Sequence, residues 1–294
     1  MTPRDQLASL LAAYSPRLLD ASGRGSGWNS IWLLTYCGRP HILKVYGRRR
    51  ARLREALTHL TQLAGGLSGY TAPARHATEA RCLRLWREAG FDCPALEEAP
   101  AGCPPLPAPF LLMEYLPGPS LAAALADSTA DPAGQDILFR RFLATLCRRH
   151  AVALERREPA LIQEHPGLDH CLVSGERLAV FDLETAYTSK AVVADAISGE
   201  IAGLIRSLFR VLPPAQARHF MERLAADYPD RARLASVERD LFDNPSPFRR
   251  ILHAIDRRLL RKKGRFDKYA AARLLGATLR GEQKKGRGFS SAPL

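Results

Sequence analysis

The sequence lacks three features that mark large classes of proteins. Its longest apolar runs fall well short of the roughly 18 residues that a membrane-spanning helix needs. Its six cysteines form no CxxC pair, the spacing typical of a structural zinc site. It has no internal repeat and no zinc-finger or helix-turn-helix pattern. These absences argue against a membrane-spanning protein, a zinc centre and a specific nucleic-acid partner.

The first residues also lack the pattern of a secretory signal. In MTPRDQLASLLAAYSPRLL, the acidic Asp5 interrupts the start, and the apolar stretch is short and amphipathic. We therefore expect a cytoplasmic protein, in which thiols are kept reduced. The cysteines should then act as small, mostly buried apolar side chains. They are Cys37, Cys82, Cys93, Cys103, Cys147 and Cys171.

Positive charge is in excess and is unevenly distributed. The formal net charge is +13, and residues 257–287 hold twelve Lys or Arg against the two acids Asp267 and Glu282. A basic surface attracts phosphate-rich partners such as anionic lipid, lipopolysaccharide or nucleic acid. The alternative is a solvated helix face followed by a disordered basic tail at 281–294. Contact with an anionic surface such as the inner membrane is therefore one of two interpretations of this segment, and the sequence leaves both open.

A glycine-rich segment lies between the first two of three predicted strands. The strands are predicted over 17–21, 28–36 and 41–46, and SGRGSG follows the first of them. Glycines between two strands let the backbone approach phosphate groups closely, although many hairpins carry glycines without any such role. The candidates for close phosphate approach are Gly23, Gly25 and Gly27.

Lys44 lies inside the third predicted strand, in the apolar run ILKVY. By itself, such a lysine is more often a solvated side chain than a cation held in a cleft. The glycines before it and a suitable acid after it favour the cleft. That acid is Glu79, in the first turn of a helix predicted over 77–89. Glu79 is either an ordinary acid at a helix N-terminus, which the helix dipole favours, or the partner of Lys44.

The stretches around that helix predict a second helix and a strand. GRRRARLREALTHLTQLAGG predicts an amphipathic helix that ends at Gly65 and Gly66, and solvation of one face is enough to explain its basic start. GLSGYTAPARH predicts a loop. FLLM predicts a strand at 110–113, and Ser120 in the following EYLPGPSL is expected to cap the next helix.

The most informative stretch is 161–187, LIQEHPGLDHCLVSGERLAVFDLETAY. CLV and LAVF are apolar runs of strand length, and SGER between them has turn composition. They predict a short hairpin with Asp182 at the end of its second strand. A carboxylate in that place can hold Mg²⁺, because this ion takes hard oxygen ligands from carboxylates and phosphates.

In this order, the segments resemble the protein-kinase-like fold, and the bacterial lipopolysaccharide-core sugar kinases and aminoglycoside-phosphotransferase-like enzymes look closest. The glycine loop, ILKVY, EARCLRLWREAGFDCPAL, EYLPGPSL and FDLE match its parts between about residues 17 and 187. The resemblance implies a two-lobed α+β fold. Residues 1–115 would form an antiparallel sheet with a helix, and residues 116–280 a mostly helical lobe with the catalytic hairpin.

The resemblance also implies roles and cofactors, which are ATP and Mg²⁺. Lys44 would contact the nucleotide phosphates and act in catalysis, and Asp182 would bind the metal. Glu184 would add a second carboxylate near the metal. The implied nucleotide-binding residues are Gly23, Gly25, Gly27, Lys44, Glu79 and, through their backbones in the hinge, Glu114 and Leu116.

The loop before the hairpin departs from the family's pattern of a base Asp and an Asn five residues later. Counting back from the hairpin places His165 at the base position and His170 at the Asn position. His165 could accept a proton near neutral pH, and His170 could ligate a metal, although Mg²⁺ prefers oxygen. Asp169 or Glu164 could serve instead as base or metal ligand. Otherwise catalysis has been lost, or these residues only cap and turn the loop.

Three functions are therefore open. The first is an ATP-dependent kinase for a sugar hydroxyl of lipopolysaccharide core or a related membrane glycolipid, which the basic segment supports. The second is a small-molecule phosphotransferase of the aminoglycoside or choline type, which would need an acidic acceptor pocket. The third is a pseudokinase that binds nucleotide or a partner without transferring phosphate. Glu184 in the FDLE triplet and the absence of an APE-like segment argue against a regulated protein kinase.

Overall fold

The computed structural model of the chain describes residues 9, 11–20, 29–36, 38–47, 52–98, 106, 108–243, 258 and 266–288. The chain divides into two compact units, one made of residues 1–118 and 172–188 and the other of residues 119–171 and 189–294. The first unit holds an antiparallel sheet and two helices, and the second is mostly helical. The predicted α+β class is therefore confirmed.

The sheet of the first unit has five strands in the order β1-β2-β3-β5-β4, and every neighbouring pair is antiparallel. Lys44 lies opposite Ile31 on one side and Leu111 on the other, in the middle of the sheet. The strands are β1 (Arg17–Asp20), β2 (Ser30–Tyr36), β3 (Arg39–Val45), β4 (Leu96–Glu97) and β5 (Phe110–Glu114).

One face of this sheet is covered by a small apolar cluster, to which Leu43 and Val45 belong on either side of Lys44. Because successive side chains of a strand point to opposite faces, Lys44 faces away from that cluster. The alternation within ILKVY therefore decides which side of the sheet carries the cation. The buried cluster is Leu11, Trp32, Leu34, Leu43, Val45 and Leu112.

Two helices, α1 (Arg52–Ala64) and α2 (Ala72–Glu88), connect β3 to β4. Helix α2 begins five residues before the start that the sequence predicts, so the expectation of a loop over GLSGYTAPARH is wrong for its second half. The Thr71 side chain accepts a hydrogen bond from the Ala74 N–H, and Pro73 stands in the first turn. A capping threonine followed by proline is a start signal for a helix. The earlier start places Arg75 on the helix that carries Glu79.

The predicted hairpin forms, with β6 (Cys171–Ser174) and β7 (Arg177–Val180) around Gly175. The sequence placed it in the second lobe, whereas in the structure residues 172–188 group with the sheet. The reason is direct bonding. The Val180 N–H donates to the Asp92 carbonyl at 3.0 Å, and Arg177 forms an ion pair with Glu114 at 2.6 Å.

The described residues of the second unit form six α-helices and three short 3₁₀-helices. Helix α4 starts at Pro132, where the Asp131 carboxylate accepts hydrogen bonds from the N–H groups of Ala133 and Gly134. Ser120 caps α3 as expected, by accepting from the Ala123 N–H. The helices are α3 (Leu121–Ala126), α4 (Pro132–Arg156), α5 (Val193–Val211), α6 (Pro214–Asp227), α7 (Arg231–Phe242) and α8 (Lys268–Gly288).

A buried polar network ties α4 to α5 and α6. Glu200 accepts hydrogen bonds from Arg149 at 2.6 Å and lies 2.9 Å from His150, whose other ring nitrogen lies 2.9 Å from the Tyr228 hydroxyl. Burial lowers the pKa of His150 below its ordinary value despite the neighbouring carboxylate, so the ring is neutral at pH 7. His150 is therefore a packed residue of the helical core, as its place on an apolar helix face indicates.

Several predictions fall partly or wholly outside the described residues. The glycines of the predicted phosphate loop, Gly23, Gly25 and Gly27, lie outside them, as do residues 259–265 of the basic segment. Helix α8 continues to Gly288, so the expectation of disorder from 281 onwards is wrong for 281–288. Within the described part of the chain, no helix is long and apolar enough to cross a membrane. The four cysteines described there are free thiols.

Candidate active site

A buried cation, Lys44, is the centre of the candidate site in the first unit. Its Nζ lies 2.6 Å from Glu79 Oε2 and 2.6 Å from Asp182 Oδ1, and 3.5 Å from Glu184 Oε2. Strand β3 supplies the lysine, α2 supplies Glu79, and the segment after β7 supplies the other two acids. Glu79 and Asp182, which lie 35 and 138 positions from Lys44 in the chain, thus meet at one ammonium group.

Two of the three carboxylates, Glu79 and Asp182, keep Lys44 charged. Burial by itself lowers the pKa of an ammonium group, but the charges of Glu79 and Asp182 and their hydrogen bonds outweigh burial and raise the pKa above its ordinary value. Because folding raises the lysine pKa, the charged Lys44 stabilises the fold fully below pH 10.5, the ordinary lysine pKa. This stabilisation is lost only as the pH rises through the pKa of Lys44 in the folded protein. The Lys44 side chain is therefore positively charged throughout the physiological range.

Asp182 has an unusual backbone conformation. Its φ is +63°, in the left-handed region that residues other than glycine, asparagine and aspartate seldom adopt. Its side chain is 33% exposed, while those of Glu79 and Glu184 are almost completely buried. Backbone strain of this kind is concentrated at functional sites, where the surrounding structure maintains it. Among the three acids, Asp182 is the one that solvent or a ligand can reach.

Arg75 binds Glu184, one of the three acids around Lys44, and the sequence analysis did not single it out. The buried guanidinium donates to Asn29 Oδ1 at 2.7 Å, Glu184 Oε2 at 3.1 Å and the Gly47 carbonyl at 2.5 Å. Asn29 in turn donates to the same Glu184 oxygen at 2.8 Å. Arg75 was missed because it fell in a predicted loop; the capping signal at Thr71 would have placed it one turn before Glu79.

Tyr46 is the other residue that the sequence reasoning did not single out. Its hydroxyl donates to Glu79 Oε2 at 2.5 Å, and its ring centre lies 5.4 Å from the Lys44 ammonium and 5.8 Å from the Arg75 guanidinium. Burial, followed by the Glu79 charge, raises the tyrosine pKa far above its ordinary value, so the hydroxyl remains a donor. Tyr46 therefore fixes Glu79 and offers an aromatic face to both cations.

The acids of this centre are chemically suited to a hard divalent cation. Oxygen atoms of Glu79, Asp182 and Glu184 lie within 4.8 Å of one another. Mg²⁺ is bound through one or two carboxylates together with substrate phosphates and water. The donor set fits this ion, and Asp182 is its most accessible ligand. His170, the other predicted metal ligand, belongs to the second unit.

The predicted hinge residues lie at the end of β5. The Glu114 carboxylate forms an ion pair with Arg177, and this hydrogen-bonded contact holds the carboxyl pKa below its usual range. The Glu114 N–H donates to the Ala95 carbonyl at 2.9 Å, and Leu116 is buried. A polar cavity of about 780 Å³ opens beside Glu114 and Arg177, and none of the acids around Lys44 lines it.

The loop with the altered catalytic pattern belongs to the second unit. Here His165 Nδ1 lies 2.5 Å from Glu164 Oε2, and His170 Nδ1 lies 3.0 Å from the His165 carbonyl. Asp169 forms an ion pair with Arg210 at 2.5 Å. The loop thus places one histidine within ion-pair distance of a carboxylate, and it binds its aspartate to an arginine of α5.

Comparison of the chain with protein-family models and with curated proteins found no match. Comparison with solved structures found WaaP in complex with acyl carrier protein, with 17% identity, a TM-score of 0.40, and coverage of 79% of this chain and 89% of that chain. A thermostable mutant of aminoglycoside phosphotransferase APH(4)-Ia with AMP-PNP and hygromycin B has 11% identity, a TM-score of 0.43, and coverage of 98% and 99%. A microcompartment-associated aminopropanol kinase has 14% identity, a TM-score of 0.37, and coverage of 95% and 94%.

The architecture itself carries the assignment of the fold. An antiparallel sheet in the order β1-β2-β3-β5-β4 bears a buried lysine on its third strand, and that lysine pairs with a glutamate on the helix that follows. A hairpin then brings an aspartate to the same lysine, and the second unit is helical. These are the parts that the protein-kinase-like fold combines. The chain therefore has a protein-kinase-like fold.

Proposed function

We propose that this protein is an ATP-dependent phosphotransferase. The observation that carries the proposal is the Lys44 ammonium, held at 2.6 Å from both Glu79 and Asp182. Phosphoryl transfer depends on positioning and on neutralising charge, rather than on covalent chemistry by the protein. A lysine held in place by one buried acid, next to a second acid that solvent can reach, can provide both positioning and charge neutralisation.

The residues of the first unit would divide this work. Lys44 would contact the phosphates of the nucleotide, and Glu79, itself bonded to Tyr46, would hold Lys44 in place. Asp182, with Glu184 beside it, would hold Mg²⁺, which supplies charge neutralisation when it is bound. Arg75 would keep the Glu184 carboxylate fixed.

For the acceptor, we propose a sugar hydroxyl of lipopolysaccharide core or a related membrane glycolipid. The net charge of +13 supports an anionic acceptor or surface, and it weighs against the cationic substrates of aminoglycoside- or choline-type enzymes. His165 would act as the base that accepts the hydroxyl proton. Glu164, whose Oε2 lies 2.5 Å from His165 Nδ1, would favour the protonated ring that results.

One observation favours a second candidate, a pseudokinase that binds nucleotide without transferring phosphate. The loop has histidines where related enzymes have the base Asp and the metal-binding Asn, and its own Asp169 is engaged with Arg210. In this candidate, Lys44 with the acids Glu79, Asp182 and Glu184, here called the Lys44 centre, would bind nucleotide. The loop would then have no chemical step to perform.

Nucleotide binding and ATP turnover separate the two candidates. We expect ATP with Mg²⁺ to raise the melting temperature of the full chain, and Lys44→Met and Asp182→Asn to abolish this shift. If the protein is a kinase, ATP turnover with a lipopolysaccharide-core acceptor should fall at least about 100-fold in both variants. The matched controls are the exposed Lys190→Met and Asp243→Asn, which should behave as the wild type does.

The possible outcomes decide between the proposals. A thermal shift without turnover on any sugar acceptor would favour the pseudokinase. Full turnover in Lys44→Met or Asp182→Asn would reject the phosphotransferase assignment and the site with it.

A further inference from the structure

Helix α1 presents a row of exposed leucines. Leu53, Leu57, Leu60 and Leu63 are 74%, 55%, 60% and 48% exposed. Their spacing of three and four residues places them on one side of the helix. Other exposed apolar side chains of the described residues, such as Ile137 of α4, are not part of such a row. Isolated exposed apolar residues are ordinary, whereas a continuous row marks an interaction surface.

The opposite side of α1 is polar and faces the protein. Glu55 is buried, and His59 Nδ1 accepts a hydrogen bond from the Tyr70 N–H at 2.9 Å. The ring of His59 lies so close to Gly69 that a Cβ there would approach it to 2.4 Å. The helix is therefore seated through its polar side, with its apolar side outward. This is the reverse of the pattern in which a surface helix buries its apolar stripe.

The sequence next to the leucine row is basic. Arg54 is exposed on the same helix, and the sequence just before it contains Arg48, Arg49, Arg50 and Arg52. The sequence has no acid between Asp20 and Glu55. Leucines on one side of a helix with arginines around them are typical of helices that lie in the interface of a membrane. Anionic lipid headgroups attract such arginines, whereas a partner protein would need an acidic groove of matching shape.

We propose that α1 docks this protein on the surface of an anionic lipid bilayer, with the four leucines between the headgroups and the acyl chains. The helix lies in the plane of the interface and does not cross the bilayer. This inference goes beyond phosphotransfer and does not depend on it. It also places membrane contact on a defined surface of the first unit, rather than on the basic segment at 257–287.

Vesicle sedimentation with the full chain tests the proposal. Vesicles of phosphatidylcholine with about one third phosphatidylglycerol should bind the wild type, and pure phosphatidylcholine should bind it more weakly. The variant Leu57→Gln/Leu60→Gln should bind at least about tenfold more weakly, because two side chains lose their burial in lipid. The control is Ile137→Gln, whose residue is as exposed as Leu60 but stands on α4, and it should bind as the wild type does.

A second measurement separates insertion from adsorption through charge. In Leu57→Trp, the new indole fluorescence should shift to shorter wavelength on adding the mixed vesicles and should be quenched by brominated acyl chains. Circular dichroism and the ATP-induced thermal shift should remain unchanged in both leucine variants, since neither position touches the Lys44 centre. A failed thermal shift in the wild type would count against the kinase proposal alone.

Three results would overturn the docking proposal. The first is equal vesicle binding by Leu57→Gln/Leu60→Gln and the wild type, which would assign binding to charge elsewhere. The second is an unshifted and unquenched Leu57→Trp in the presence of bound vesicles. The third is a wild type that binds no vesicle but forms a dimer that the leucine variant abolishes, which would make the row an interface between copies of the chain.

Discussion

At the scale of single residues, two buried cations organise the candidate site. Lys44 is surrounded by acids from two distant parts of the chain, and Arg75 holds one of those acids from behind. A buried charge is tolerated only when it is paired and hydrogen-bonded. The acids at 79, 182 and 184 are thus as necessary for folding as for any chemistry, so variants here must be tested for stability as well as activity.

The Arg75–Glu184 pair provides a test of this layer. We expect Arg75→Met to lower the free energy of unfolding by about 3–5 kcal/mol, because it removes an ion-pair partner of a buried carboxylate. Glu184→Gln should also destabilise the protein, since it leaves the guanidinium short of a countercharge. The double variant should lose about 1–3 kcal/mol less than the sum of the two, which urea unfolding of all four proteins would measure.

Arg75→Lys is the matched control in that series. Lysine keeps the charge but cannot donate at once to Asn29, the Gly47 carbonyl and the Tyr70 carbonyl, as the guanidinium does. It should therefore recover only part of the lost stability. Strictly additive losses in the Arg75 and Glu184 variants would contradict a direct pair.

At the scale of elements, helix α5 is the support of the loop that precedes the hairpin. Four of its residues at helical spacing contact other parts of the second unit. Glu200 binds Arg149 and His150, and the Ser207 hydroxyl accepts a hydrogen bond from the Leu168 N–H. Gly203 lies against Pro166, and Arg210 binds Asp169. A single helix face therefore determines where the loop lies.

Gly203→Ala tests this dependence. A Cβ at Gly203 would lie 2.5 Å from the Pro166 ring, so the loop must shift, although alanine favours the helix itself. We expect turnover to fall roughly tenfold to 100-fold while the ATP-induced thermal shift is kept, because the Lys44 centre is untouched. Faster amide exchange at Leu168 would report the shift independently of activity.

Gly281→Ala on α8 is the control for that experiment, since a Cβ there meets no atom within 4 Å. It should change neither turnover nor the exchange rate of Leu168. Unchanged exchange and turnover in Gly203→Ala would show that the loop does not depend on its contact with α5.

At the scale of the whole molecule, the chain leaves its first unit after residue 118 and returns to it at residue 172. The returning segment brings the acids that pair with Lys44 and Arg75, and its Val180 N–H bonds to the Asp92 carbonyl. The unit is therefore discontinuous in sequence, and its charge balance is complete only when both pieces are present.

Fragments of the chain should show this directly. We expect residues 1–118 alone to lack cooperative unfolding, because Arg75 loses Glu184 and Lys44 loses two of its three acids. The same residues joined to 172–188 by a flexible linker should recover near-ultraviolet circular dichroism and a cooperative thermal transition. A cooperative 1–118 fragment with wild-type stability would show that the hairpin is dispensable for this unit.

Much of the fold and part of the site could be predicted from local patterns. The strand around Lys44, the hairpin ending near Asp182 and the helix bearing Glu79 each depend on nearby residues, since apolar alternation, turn composition and helix periodicity are short-range signals. The start of α2 was missed although its signal, Thr71 before Pro73, was present. Arg75 and Tyr46 could not be ranked from sequence, because a buried arginine or tyrosine looks like any other until its partners are known.

The sequence by itself determined which segments form strands and helices and which strand carries the buried lysine, because these follow from side-chain alternation and local backbone preference. Only the tertiary structure decided that three acids, far apart in the chain, converge on Lys44, and that Arg75 stands behind them. It alone decided that α1 turns its leucines outward. The physical reason is that burial and ion pairing are settled by which distant segments pack together, and a sequence pattern records the faces of an element but not its neighbours.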